Sequence, residues 1–404
     1  MKQITKITLT TALAAGLGAP ALAQSDEGHQ WGTASAPFEP AFPNQTRAPI
    51  EVSDVTLEQE TITGGLVHPW AVEALPGDEG FLVTERTGNL RHVSMDGEVS
   101  EPISGVPEVY NENQGGLLDV KMGPTFDEDR MVYMTYSKTM GDEMSATAAA
   151  RGVLSEDLTE ITEVEDIWVQ DPPSPTPMHY GSRIVFDGDD IAFITTGEHS
   201  SLAERDFAQH MEKTYGKIIR IHTDGSIPEN NPYVDEEYHD DAIWSYGHRN
   251  VQSAAMHDGF LFTIEHGPAG GDELNMPLPT RNYGWPIVSY GVRYNGPLIG
   301  SGEPRMPGME EPLYYWDPVI APGDMLFYEG EEFADWEDDL FVGGLVAPGI
   351  VRLGMQGALV TEEERLLTDL GRVRDIEVLE DGSFVLATDY EDGELIHVTS
   401  GSDS

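Results

Sequence analysis

Residues 383–398 read SFVLATDYEDGELIHV. A short β-rich run is followed by a polar turn carrying Gly393, then by a second run alternating outward and inward residues. GFLVTERTGNLRHV (80–93) and DLFVGGLVAPGIVRL (339–353) repeat that plan. DDIAFITTGEHS (189–200) and DGFLFTIEHGPAGG (258–271) supply its first half, with longer loops after it. Further strand pieces are RMVYMTYS (130–137), RIVFDGD (183–189) and GKIIRIHTDG (216–225). One segment, AERDFAQHMEKTYG (203–216), is patterned for a helix. Short hairpin units recurring over most of the chain predict an all-β fold, and a propeller rather than an unusually large sandwich. In such a ring the innermost strands line a central channel, so functional residues should be scattered through the sequence, one or two per blade.

Outward from these repeats, the ends of the chain read differently. MKQITKITLTTALAAGLGAPALAQ has two lysines before a short apolar stretch and small residues around Ala23. That layout predicts a secretory signal over 1–23 and a mature protein in the periplasm or outside the cell. Residues 24–58 are Pro-rich and aperiodic, and are expected to form an extended arm or disordered leader. The propeller is expected over 59–399, with 400–404 as a tail. No later segment is apolar for long enough to span a membrane.

The chain has no cysteine and a net charge of −50. Without disulfides it must be held by its core, its hydrogen-bond ladders or a metal. Its acidity excludes nucleic acid and anionic membranes as partners and suits calcium.

Against that acidity, a few loops carry unusual groups. ENQGGLLDV (112–120) offers Gln114, MHYGSRIVF (178–186) offers His179, and SYGHRNVQS (245–253) sets Arg249 beside Asn250. LGRVRDIEV (370–378) places Arg372 and Arg374 two apart, on one face if extended. Arginine forks suit carboxylates and planar oxyanions. His179 has the titration range of a general base, and Glu198 in TTGEHS is placed to orient it. In EHGPAGGDELN (265–275), Gly267 and Pro268 can present bare carbonyls and Glu273 a carboxylate, a donor set for a hard cation.

These segments resemble the soluble pyrroloquinoline quinone (PQQ) dependent sugar dehydrogenases, in particular their aldose sugar dehydrogenase, or glucose-sorbosone dehydrogenase, branch. The likeness is carried by GLVHPWAVEALPGDEGFLVTERTGNL, QGGLLDV, HYGSRIVF, GKIIRIHTDGSIPENNPY, GHRN, HGPAGGDELN, NYGWP and GRVRDIEV, which fall in family order. It implies a six-bladed β-propeller of antiparallel four-stranded blades. It further implies PQQ and Ca2+ as cofactors, an aldose as substrate, and a periplasmic or artificial electron acceptor. By this resemblance His179 is the base taking the proton of the anomeric hydroxyl while hydride passes to PQQ, giving a lactone. Glu198 partners His179, standing where an aspartate is usual. Gln114 lies near sugar and cofactor, and Arg249, Asn250, Tyr294, Arg372 and Arg374 contact PQQ. Gly267 and Pro268 give carbonyls to a calcium bridging PQQ and protein, while Glu273 and the Tyr283 carbonyl form a second, structural calcium site.

Two further departures bear on the cofactor. Val346 stands where the family has a lysine, and Gly323-Asp324 replaces the usual Ser-Gly, adding an anion. Both are expected to weaken PQQ binding. They favour an alternative, a calcium-dependent propeller lactonase in which His179 activates water. A non-catalytic sugar-binding propeller is the third reading.

Overall fold

The computed structural model describes residues 31–77, 79–188 and 190–401. The expected signal segment and the first part of the arm lie outside the described residues.

Six antiparallel sheets follow one another along the chain. The first blade comprises Pro69–Ala74, Phe81–Glu85 and Asn89–Val93. The second runs through Leu117–Met122, Met131–Thr139, Ser145–Leu154 and Ile161–Val169. Gly181–Asp187, Ile191–Thr196, Lys217–His222 and Ile243–Tyr246 form the third. The fourth holds Val251–His257, Phe260–Glu265, Asp272–Asn275 and Tyr314–Trp316, and the fifth Pro322–Phe327, Leu340–Gly344, Gly349–Gln356 and Leu359–Leu366. The sixth holds Val373–Val378, Phe384–Thr388 and Gly393–Ser400, and its outer strand, Leu57–Leu66, comes from the other end of the chain. Leu57 pairs with Ser400 and Leu66 with Gly393, which closes the ring. Closure removes the open sheet edge that a row of blades would otherwise leave.

The opening hairpins now have a physical reason. Their first strands, each the second strand of its blade, are buried on both faces, so they read as continuous apolar runs. In Phe384–Thr388, Phe384 and Leu386 pack with fifth-blade residues such as Phe341 and Ile350. Val385 and Ala387 point the other way, onto Val72 and Phe81 of the first blade. Similar clusters fill each junction between neighbouring blades around the ring. Truncating such a residue leaves a cavity between blades, and Phe384→Ala should cost about 3–5 kcal/mol.

Three expectations need refinement. The first blade has a ragged fourth strand: Ser100 N–H donates to His92 O at 2.9 Å and Ile103 N–H to Leu90 O at 2.8 Å. Between them Pro102 has no N–H to give, so no regular ladder forms. The arm, from residue 31 on, is extended and docked. Ala48 is buried among fourth- and fifth-blade residues, Gln45 Nε2 donates to Pro312 O at 3.0 Å, and Arg47 Nη2 to Asp317 O at 2.8 Å. The helical segment at 203–216 shrinks to one 3-10 turn, Arg205–Gln209. The buried Lys217 ammonium takes the carbonyls of Phe207 and Ala208 at 3.0 and 2.9 Å, groups a continuing helix would have used itself.

Deep in the channel, Arg183 meets carboxylates from three other blades: Asp119 at 2.9 Å, Asp324 at 3.2 Å and Asp375 at 3.0 Å. Asp324 therefore does not stand among the cofactor-facing residues, as the sequence suggested. It is an internal counter-charge to a buried guanidinium.

Candidate active site

One innermost strand from each blade runs along the channel, all in the same direction, so their first residues gather at one end. Trp70, Gln114, His179, Arg249, Ala321 and Arg374 each stand within a few residues of such a start, one from each blade. All line one cavity of about 250 Å3. Asn250, Tyr294 and Arg372 line it too. Positions hundreds of residues apart thus meet because of topology.

His179 sits at φ 49°, a left-handed conformation uncommon for any residue but glycine. Two contacts hold this turn. The Gln114 side-chain carbonyl accepts His179 N–H at 2.8 Å, and Asn250 Oδ1 accepts Gly181 N–H at 3.0 Å. Beneath it, a Cβ on Gly197 would lie 1.9 Å from His179 O, so the glycine of TTGEHS lets the two chains touch. His179 Nδ1 is 2.8 Å from Glu198 Oε2. The Glu198 carboxylate also accepts Trp285 Nε1–H at 3.1 Å and Ser200 N–H at 2.6 Å. Burial pushes the Glu198 pKa up, but His179, Arg249 and the Ser200 N–H more than offset it and hold the carboxyl ionised below its usual range. Burial pushes His179 down, against the pull of Glu198, and Arg249 adds to the depression. An ionised Glu198 then accepts a hydrogen bond from Nδ1–H, leaving Nε2 unprotonated as the base.

The arginines are held by a few partners. Arg249 donates from Nη1 to His266 O at 2.7 Å, lies 3.5 Å from the Tyr294 hydroxyl and covers the Trp285 ring. Its backbone N–H is fixed by Glu265, which also meets His248 Nδ1 at 3.0 Å. Arg372 and Arg374 both reach Asp389 Oδ2, each at 2.8 Å, and Arg374 also donates to Gln252 Oε1 at 3.0 Å. With Arg86, four arginines line the cavity, and no carboxylate is among the described residues lining it. In a chain of net charge −50 that is a local inversion of sign. The Nε groups of Arg249 and Arg374 are buried without a hydrogen-bond partner, as donors awaiting an acidic ligand would be.

The loop at 265–275 separates this cavity from a smaller one of about 10 Å3. Gly267, Pro268, Glu273 and Tyr283 all border the smaller space, together with Glu265. The sequence gave Gly267 and Pro268 to one calcium site and Glu273 and Tyr283 to another; all four border this ion-sized chamber, and Gly267 also lines the larger cavity. A Cβ on Gly267 would lie 2.2 Å from the Gly271 backbone, so only glycine permits this fold of the loop. Asp272 braces it, accepting Gly267 N–H at 2.7 Å and the N–H groups of Ile320 and Ala321 at 2.8 and 2.7 Å. Burial drives the Glu273 pKa well up, and the Glu265 charge drives it further. A buried carboxylate, Glu265, and a partly buried one, Glu273, beside carbonyls fit a divalent hard cation, which would relieve that repulsion. Among the described residues no group of three or more His, Cys, Asp or Glu side chains could hold a metal.

Sequence reading missed Asp389, Gln252, Trp285, Trp70, Arg86 and Glu265. A signal existed for Arg86 and Asp389: each directly follows the second strand of a blade, which returns antiparallel to the end where the first began. Val346, by contrast, lies outside this cavity; its neighbour Leu345 lines it.

Residues 66–397 match the family model for Glucose / Sorbosone dehydrogenase. Aldose sugar dehydrogenase YliI of Escherichia coli is 39% identical over 348 residues, 85% of this chain and 93% of that protein. The crystal structure of the soluble aldose sugar dehydrogenase from Escherichia coli in the apo form superposes with a TM-score of 0.82 at 39% identity, covering 86% of this chain and all (100%) of that one. At 24% identity, the PQQ-bound aldose sugar dehydrogenase of Streptomyces coelicolor has the same fold, with a TM-score of 0.68 over 87% of this chain and 100% of its own. The chain belongs to the glucose/sorbosone dehydrogenase family and is an oxidoreductase acting on sugars.

Proposed function

We propose that this protein is a periplasmic aldose dehydrogenase that uses PQQ and Ca2+ and oxidises the anomeric carbon of its sugar to a lactone. One observation carries the reading: a carboxylate-free cavity with four arginines, opening beside a histidine kept neutral, in a strongly acidic chain. PQQ, a tricarboxylate quinone, supplies a hydride acceptor when bound. Arg249, Arg372 and Arg374 would hold its carboxylate and carbonyl oxygens, with Asn250 and Tyr294 beside them. His179 Nε2 takes the proton of the anomeric hydroxyl, and Glu198 stabilises the imidazolium that results. Gln114 keeps His179 in its left-handed turn and so aims the ring. Ca2+ would rest on the carbonyls of Gly267 and Pro268 with the carboxylates behind them.

The quinoprotein glucose dehydrogenase B of Acinetobacter calcoaceticus, 24% identical over 404 residues, adds support for the cofactor. The lactonase alternative drew on Val346 and Asp324, and neither lines this cavity. Among the described residues no helix is long and apolar enough to cross a membrane. The test is reconstitution. Cofactor-free protein given PQQ and Ca2+ should reduce a dye with glucose or another aldose, and His179→Ala should slow the reaction by about 10²–10⁴-fold. Absence of PQQ binding at saturating Ca2+ would reject the reading.

A further inference from the structure

Trp285 does not line the arginine-rich cavity, yet it touches Arg249, which does, and Glu198, the partner of His179. Its indole Nε1–H donates to Glu198 Oε1 at 3.1 Å, while the Arg249 guanidinium lies over the same ring, 5.2 Å from its centre. One side chain therefore holds the partner of the base by its edge and a cation of the cavity by its face. The ring is itself fixed. It is buried and packs with Ala208 and Ile299. Its backbone N–H donates to Gly247 O at 2.8 Å, and its carbonyl accepts Gln209 Nε2–H at 2.7 Å. Gln209 also exchanges hydrogen bonds with Asn282, at 3.0 and 2.8 Å, through the two side-chain amides. The 3-10 turn Arg205–Gln209, which lies outside the cavity, thus clamps the NYGWP loop.

We propose that Trp285 is a positioning residue with two separable tasks: its N–H orients the Glu198–His179 pair for proton transfer, and its ring face holds Arg249 in place for the cofactor. The inference rests on the dehydrogenase reading. The two tasks need different parts of the indole. Ser200 N–H and His179 Nδ1 both lie on Glu198 Oε2, so Oε1 is steadied by the Trp285 N–H, which a phenyl ring lacks. A guanidinium held over a ring needs only the π face, which a phenyl ring keeps. A side chain that merely filled space would affect proton transfer and cofactor binding together, and would not move the titration of the base.

The test compares Trp285→Phe, which deletes the N–H and keeps an aromatic face, with Trp285→Leu and the bulkier Trp285→Met, which delete both. In reconstituted enzyme Trp285→Phe should lower kcat about tenfold. It should also move the acid limb of kcat/KM to higher pH, because Glu198 with one donor fewer is more basic and holds a proton on His179 more tightly. Its PQQ affinity by absorbance titration should stay within about twofold of the parent. Trp285→Leu and Trp285→Met should match that fall in kcat and also bind PQQ about tenfold more weakly. In cofactor-free protein, NMR of 13C-labelled histidine follows His179 directly, its signal assigned by its loss in His179→Ala, and the titration should shift upward in Trp285→Phe. An unmoved titration, PQQ affinity lost in Trp285→Phe as much as turnover, or parental PQQ affinity in the two aliphatic variants would overturn the assignment. Failure of the parent to bind PQQ would reject the dehydrogenase reading by itself, while the NMR titration would still report on the coupling of Trp285 to His179.

Discussion

His179 Nδ1 and Glu198 Oε2 are 2.8 Å apart, and the other Glu198 oxygen is tied to the Trp285 indole at 3.1 Å. The carboxylate cannot rotate without breaking one of these contacts, so it fixes both the tautomer and the plane of the imidazole. Since its charge pulls the His179 pKa up, against burial, its removal should let that pKa fall further below the ordinary value of 6.5. In Glu198→Gln the acid limb of kcat/KM should move to lower pH, and the plateau should drop by about 10–100-fold. An unmoved limb in the pH profile would show that the pair is not electrostatically coupled.

Removing the base itself has a different signature. His179→Ala should lower kcat by about 10²–10⁴-fold, the range for a positioned proton acceptor. PQQ affinity by absorbance titration should change little, because the arginines keep their own partners. Equal loss of binding and turnover would make His179 a cofactor ligand instead.

Asp389 governs two arginines at once. Asp389→Asn leaves Arg372 and Arg374 without their shared counter-charge, and should cost about 3 kcal/mol in urea unfolding, the low end for a broken buried pair because Arg372 is partly exposed. Although burial pushes its pKa up, the Arg374 and Arg372 guanidiniums hold it far below the carboxylate range. Its contribution is therefore present above the ordinary value of about 3.9 and lost as pH falls through the depressed one. The difference between variant and parent should persist at neutral pH and shrink only in strong acid.

Calcium should stabilise the fold through the chamber behind Gly267. At a hundredfold excess over its Kd, Ca2+ should add about 2.7 kcal/mol to unfolding of the PQQ-free protein. Glu273→Gln should remove most of that increment, and a calcium-dependent shift left intact in this variant would place the ion elsewhere.

Asp324→Asn tests the internal position of that residue. Arg183 keeps Asp119 and Asp375, so the guanidinium remains paired. PQQ affinity should stay within about twofold of the parent, since a carboxylate paired with Arg183 outside the cavity lining contributes little. Marked tightening on titration would mean that Asp324 does repel the cofactor.

What local pattern could determine was determined by neighbours in the chain. The run FVLA in 383–398 must be a strand buried on both sides, and Gly197 and Gly267 must stay bare where backbones touch, so hairpins and turns were legible. The loops carrying His179, Arg249 and Arg374 stood out because basic groups are scarce in this acidic chain, and the family pattern supplied their roles. Whether a given charge meets a ligand or another residue was decided by ring closure. Asp324 lies 141 positions from Arg183 in the chain yet 3.2 Å from it in space. Asp389 braces the two arginines at the edge of the cavity, the arm docks through Gln45 and Arg47, and the helical segment yields its carbonyls to Lys217. Propensity acts over a few residues, whereas desolvation and ion pairing depend on which blades the closed ring brings together.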